Sequence, residues 1–135
     1  MQPTSSREFL RVASQRLETA EVLLRANLTL DAQYIGGYTI ECALKSLILV
    51  STPEQERGDR LKQITSGSNM HNFEILLRLL RDQSVRFPKE FAFKFRRYPW
   101  STDLRYETGR KDSGETLAFL KLAKAIYDWV QEKLP

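Results

Sequence analysis

The sequence is poor in the residues from which chemistry is usually built. Cysteine occurs once, at Cys42, and histidine once, at His71. A lone cysteine excludes an intramolecular disulfide and a cysteine-based zinc site within the chain. A lone histidine likewise excludes a multi-histidine metal site and acid-base catalysis by two histidines. No metal site and no cofactor site is therefore expected. The loops G-x-x-x-x-G-K-[ST], G-x-G-x-x-G and G-x-S-x-G are missing, as is H-E-x-x-H, so phosphate cradles and nucleophile elbows of the usual kinds are excluded and sheet-based nucleotide folds are disfavoured.

Long uninterrupted apolar runs are also missing. The most hydrophobic stretch, Tyr34 to Val50, carries Glu41 and Lys45 near its middle, and two ionised groups there are costly in a bilayer. It reads as the buried helix of a soluble protein, with no membrane partner expected. The segment Met1 to Ser6 has neither a basic nor an apolar stretch of the kind a secretory signal needs. With one cysteine, a reducing, cytoplasmic setting is the expectation.

What is present suffices for one folded unit. The chain has 135 residues, 41% hydrophobic and 28% charged, which fits a single compact domain over 1–135 with its core at about 5–134. The net charge of +4 is unevenly placed. Between Arg86 and Lys111 eight basic residues face three acidic ones, and half of the chain's fourteen aromatics lie there too. Arg86, Lys89, Lys94, Arg96, Arg97, Arg110 and Lys111 form a candidate nucleic-acid patch, since cations interleaved with aromatics suit a single strand through counterion release and stacking. The same pattern also suits an acidic partner protein, or aromatics in the core with a solvated charged face.

Helical periodicity runs through most of the chain. Ser5-Ser6-Arg7-Glu8 is a capping-box pattern, followed by Phe9, Ala13, Leu17, Ala20 and Leu24 on one face of a helix ending near Asn27. Asp31 is the expected N-cap of a second helix to about Val50, apolar around most of its circumference and hence central. Gly36-Gly37 near its start costs helix propensity, about 1 kcal/mol each, and predicts close approach by another backbone. Residues 51–69 read as a mobile polar connection with at most one turn near Arg60 to Ile64. A third helix is expected from Asn69–Asn72 to Asp82. Phe87 to Tyr98 fits either strand alternation or helical spacing, and the helical context favours a short helix. A last helix starts at Asp112 or Ser113 and runs to about Leu134, with Leu117, Leu120, Ala123, Tyr127 and Val130 as its core face and Phe119, Ile126 and Trp129 widening it. The sum is an all-α, up-and-down bundle of four to five helices.

The most informative stretch is Tyr34-Ile35-Gly36-Gly37-Tyr38-Thr39-Ile40-Glu41-Cys42-Ala43-Leu44-Lys45. Tyr34, Tyr38, Glu41 and Lys45 fall on one stripe, so a carboxylate and an ammonium meet at i, i+4 beside two phenols. Either this is a structural ion pair on a central helix, or it lines a cleft. The helix resembles the signature helix of HEPN-domain proteins. His71-Asn72-Phe73-Glu74-Ile75-Leu76-Leu77 is similar to the opening of that family's third helix, with Asn72 in place of an acid, and Trp100-Ser101-Thr102-Asp103-Leu104-Arg105-Tyr106 is similar to the element before its last helix.

The resemblance implies a helical bundle that commonly forms homodimers and acts beside nucleotides or RNA. Members include toxin ribonucleases of toxin-antitoxin and defence systems, and non-catalytic partners of a minimal nucleotidyltransferase in prokaryotes. The ribonuclease branch carries an Arg followed four to six residues later by a His. Here no His follows any Arg after His71, so that motif is absent. The candidate ligand-binding residues are Tyr38, Glu41, Lys45, Trp100, Arg105 and Tyr106, with His71 and Arg105 as weak catalytic candidates. For His71 the plain alternative is a helix-end cap. For Arg105 it is a salt bridge to Glu41, against a guanidinium that grips phosphate while Trp100 and Tyr106 take a base face. Three functional readings follow: a binder of a nucleotide, RNA or a nucleotidyltransferase partner; a ribonuclease toxin with an unusual site; or a dimerisation module only.

Overall fold

The computed structural model describes residues 2–67 and 70–135. Among them the chain forms six α-helices and no strand: α1 Ser6–Arg25, α2 Thr29–Ser51, α3 Arg57–Thr65, α4 Phe73–Asp82, α5 Lys89–Phe95 and α6 Ser113–Lys133, with 3-10 turns at Glu54–Glu56 and Thr102–Tyr106. The helical bundle is thus as expected, and the ambiguous segment at 87–98 contains the short helix α5.

The local start signals act as read. Ser5 Oγ accepts from the Glu8 amide at 3.2 Å, while Glu8 Oε2 accepts from the Thr4 amide at 2.8 Å, one residue ahead of the N-cap. Asp112 Oδ2 accepts from the Glu115 amide at 2.8 Å at the head of α6. Asn72 Oδ1 accepts from the Ile75 amide at 3.2 Å at the head of α4; the alternative opening at Asn69 lies outside the described residues. Each of these bonds satisfies an amide left without a helical acceptor.

Three expectations are corrected. First, Asp31 is not the N-cap of α2, which begins at Thr29 after Leu28. Thr29 Oγ1 donates to the Lys111 carbonyl at 2.7 Å and accepts from the Lys111 amide at 2.9 Å, so a partner 82 residues away sets the start. Asn27, at φ 62°, ends α1 in the left-handed region. The Leu28 amide reaches back to Leu23 at 2.9 Å, a closure that turns α2 against α1. Second, the expected mobile connection contains α3, anchored by fully buried Ile64 and by Arg57 Nε donating to the Thr52 carbonyl at 2.9 Å. This accounts for the sixth helix. Third, the core face of α6 excludes Leu117, while the expected Leu120, Ala123 and Val130 are buried together with Phe119 and Ile126, which were expected to widen that face. Leu117 is 45% exposed, whereas Phe119, Ala123, Ile126 and Val130 are completely buried.

Helix α2 is the axis, packing against α1, α6 and α4 and buried along nearly its whole length. Its glycines permit this, although side chains rather than a backbone make the approach. A Cβ on Gly36 would lie 2.5 Å from Leu120 Cδ2, and one on Gly37 would overlap the Trp100 indole. Among the described residues no helix is long and apolar enough to cross a membrane.

Candidate functional site

The stripe on α2 gathers the chain's polar interior. Glu41 and Lys45 are one helical turn apart, and their side chains are only 4% and 3% exposed, with Lys45 Nζ donating to Glu41 Oε2 at 3.0 Å. The carboxylate's other oxygen meets His71 Nδ1 at 2.8 Å. A carboxylate only accepts, so Nδ1 carries the proton in this pair and Nε2 of the neutral ring is left as an acceptor. His71 immediately precedes Asn72, the N-cap of α4, and so ties the head of α4 to the middle of α2. It is a third exposed. The helix-end cap proposed as its plain role is performed by Asn72 instead.

Two phenols extend the stripe toward the surface. Tyr34 and Tyr38 share a hydrogen bond of 3.1 Å between their hydroxyls, and Tyr38 sets its ring edge-on to His71 at 5.9 Å. The Tyr38 phenol is held well above its ordinary pKa, first by burial, then by the bond and charge of Tyr34 and by Glu41, with Arg105 opposing. It therefore stays protonated at neutral pH.

Trp100 is the anchor of the loop between α5 and α6. Its indole lies over Gly37, and Nε1 donates to the carbonyls of Gln33 at 3.0 Å and Tyr34 at 3.2 Å. It stacks on Tyr34 at 6.5 Å and meets Tyr38 and Phe73 at 5.4 and 5.1 Å. With so much of the ring engaged, Trp100 positions the loop rather than offering a base platform. The next element, the 3-10 turn, is capped by Ser101 Oγ accepting from the Asp103 amide at 3.1 Å and pinned by buried Leu104. Arg105 and Tyr106 are thereby turned outward.

Arg105 makes no ion pair among the described residues. The alternative of a clamp on Glu41 is set aside, because Glu41 is buried with Lys45 and His71 as its partners whereas Arg105 is exposed and does not pair with it. The guanidinium instead lies 4.9 Å from the centre of the Tyr106 ring, and Tyr106 is 74% exposed. Its pKa is raised by the hydrogen bond and charge of Tyr106, with Tyr34 and Tyr38 adding smaller contributions.

Of the sequence candidates, Tyr38, Glu41, Lys45, His71 and Trp100 therefore meet around α2, with Arg105 and Tyr106 on its outer edge. Glu41 and Lys45 are too deep to touch a ligand directly. Tyr34, not among the candidates, belongs to the site; its place on the stripe was the signal. The family model of the HEPN domain matches residues 6–133. The chain belongs to the HEPN domain family. The three elements of the HEPN likeness, on α2, at the head of α4 and in the Trp100 loop, are the three that converge on this site. No curated protein and no solved structure matches this HEPN chain.

The basic segment is divided by the fold. Lys94 pairs with Glu90 at 2.9 Å and Arg97 covers the Phe93 ring at 5.0 Å. Arg110 donates to the Asn27 carbonyl at 2.7 Å, and Lys111 pairs with Glu107 at 3.4 Å beside the start of α2. Arg86, Lys89 and Arg96 line a separate groove between α4 and α5. Among these cations, Arg86, Lys89 and Arg96 thus share the groove, while Lys94, Arg97, Arg110 and Lys111 have local partners outside it.

Proposed function

We propose that this HEPN protein is a non-catalytic binder of phosphate-bearing ligands, a nucleotide or RNA, with Arg105 as the phosphate grip and Tyr106 as the base platform. The observation that carries the reading is Arg105 itself, an exposed guanidinium with no carboxylate partner among the described residues, resting on an exposed ring. A planar fork binds phosphate through two hydrogen bonds, and an aromatic face accepts any base. His71 Nε2 and the tyrosine hydroxyls add hydrogen-bonding groups beside it.

Arg105→Lys keeps the charge and loses the fork. We expect this variant to melt as the wild type does and to weaken ATP or oligonucleotide binding by about 1.5 to 3 kcal/mol, the scale of hydrogen bonds to charged groups. Titration calorimetry at fixed salt measures it, and full affinity in the lysine variant would remove Arg105 from the site.

Catalysis is not part of this reading. Glu41 orients His71 as a carboxylate orients a general base, yet the only arginine placed beside the site precedes no histidine in the chain, and the Arg-to-His spacing of the ribonuclease branch is missing. Incubation with single-stranded RNA is expected to leave it intact. Robust cleavage that disappears in His71→Ala would instead support the ribonuclease alternative.

The protein is further proposed to be a cytoplasmic homodimer, in a toxin-antitoxin or defence setting where a nucleotidyltransferase is its partner. Val22, Leu28 and Leu117 are exposed apolar side chains available for an interface. Light scattering at micromolar concentration should give twice the 15.7 kDa chain mass; a monomer mass would count against it.

A further inference from the structure

A groove with a volume of about 680 Å³ lies between α4 and α5, and no residue of the Arg105 loop lines it. Helix α4 contributes Leu77 and Arg81, α5 and its C-cap contribute Lys89 and Arg96, and the bend between the helices contributes Arg86 and Phe87. The spacing is regular: Glu74, Leu77 and Arg81 on α4, and Lys89, Ala92 and Arg96 along α5 and its C-cap, each follow an i, i+3, i+7 stripe. Two helical faces therefore look at one another across the groove.

The charge is one-sided. Four cations line the groove against the single carboxylate of Glu74, which pairs with Arg96 at 3.4 Å. Among the described residues Arg81, Arg86 and Lys89 make no ion pair and no side-chain hydrogen bond, and all three are exposed. The floor is apolar. Phe87, fixed by Phe91 at 5.8 Å and Trp129 at 5.6 Å, forms part of it.

The groove also has a direction. Its Glu74 end is three residues from His71, which places the two α-carbons within about 11 Å by chain length alone. That end of the groove therefore lies close to His71 in the fold. A volume of this size belongs to the range that takes a drug-sized molecule, so it admits a nucleotide or two of an extended strand and not a duplex.

We propose that the α4–α5 groove is a second subsite for single-stranded RNA, in which Arg81, Arg86 and Lys89 hold backbone phosphates while the Arg105 loop holds a neighbouring nucleotide. This rests on the phosphate-binding reading above and selects RNA over a free nucleotide as the ligand. RNA fits better than an acidic peptide because the groove's Glu74 end lies three residues from His71, beside the loop read above as a grip for phosphate and base, so one strand can occupy both.

The test uses the full chain, a labelled single-stranded RNA of twelve nucleotides, and ATP. Anisotropy is measured across a salt series for wild type, for Arg81→Ala/Arg86→Ala/Lys89→Ala, for Arg105→Lys, and for a charge-matched control, Arg11→Ala/Arg25→Ala/Lys121→Ala. All replaced control residues are exposed, and circular dichroism verifies the fold of every variant. The groove variant should lower the slope of log affinity against log salt by about 2, three phosphate contacts at about 0.7 each. Its ATP affinity should not change, and the control should keep the wild-type slope.

An unchanged RNA slope in the groove variant overturns the proposal while leaving the Arg105 reading intact. Loss of ATP and RNA binding in Arg105→Lys, with no effect of the groove variant, overturns it in the same way. If the wild type binds neither ligand, the Arg105 reading itself fails and the groove proposal with it. Displacement of the RNA by an equimolar twelve-residue polyglutamate peptide would assign the groove to acidic partners instead and overturn the RNA proposal.

Discussion

Glu41→Ala is expected to destabilise the fold by about 3 to 5 kcal/mol, the range for stranding one member of a buried ion pair. The substitution leaves the Lys45 ammonium, with only 3% of its side chain exposed, without its carboxylate. It also removes the acceptor of His71 Nδ1 and so frees the head of α4 from the middle of α2. The loss measures the cost of an unpaired buried charge and not the net worth of the pair. The double replacement Glu41→Leu/Lys45→Met, which removes both charges and keeps approximate volume, should therefore recover most of the stability. Urea unfolding of the three proteins decides this. A single variant within about 1 kcal/mol of wild type would show that water reaches Lys45 and that the pair is not buried in solution.

The contrast with Arg105 separates support from contact. Glu41 and Lys45 are closed off, so their replacement should move the unfolding curve, and binding only through His71. Arg105 is open and unpaired, so its replacement should move binding and leave the unfolding curve in place. The stripe read from the sequence therefore holds helices together at its inner end, while Arg105 lies beside its outer end, open to solvent. One pair of measurements on each variant tells the two apart.

How much of this could be read from the residues depended on how local each determinant is. The caps at Ser5 and Asp112 are set by side chains reaching three residues along the chain, and both were legible. So was the central position of α2, since a helix apolar all round has nowhere else to go. Its first residue was not legible, because Thr29 is held by Lys111. Helix α3 was missed for a related reason: most of its residues are polar, and its place depends on Ile64 alone being drawn into the core. Leu117 was misplaced on the core face of α6 because it fits helical apolar spacing as Phe119 does, and only packing against Gly36 by Phe119 and Leu120 selects between them.

The site divides along the same line. The i, i+4 pair of Glu41 and Lys45 followed from spacing, but the bond from Glu41 to His71 spans thirty residues and no pattern encodes it. The family likeness brought His71 and Arg105 into view without saying which of them touches Glu41. Trp100 was assigned to ligand because tryptophan beside arginine suits a base. Its actual place depends on Gly37, where close approach by a backbone was expected and an indole is found. Arg81 was overlooked as a candidate since it precedes the basic segment in sequence, and it joins Arg86 and Lys89 only when α4 and α5 fold against each other.

The Gly37 and Trp100 pair carries the second large effect. Trp100→Ala removes an indole that fills the space over Gly37 and bonds two carbonyls of α2, and it should cost about 3 to 5 kcal/mol, as large aromatic truncations do. Gly37→Ala in the wild-type background places a methyl group inside the indole position. The neighbour is a rigid ring already tied to the helix, so the loop must move away, and a cost of about 1 to 3 kcal/mol is expected from overpacking. In the Trp100→Ala background the obstruction is gone, and only the helix preference remains. There the same Gly37→Ala change should stabilise by up to about 1 kcal/mol, the difference between glycine and alanine in a helix interior. The sign of one substitution thus reverses with the presence of one ring, which chemical denaturation of the four proteins in a double-mutant cycle measures directly. Equal effects of Gly37→Ala in both backgrounds would mean that the indole does not rest on Gly37, and the loop that presents Arg105 and Tyr106 would need another anchor.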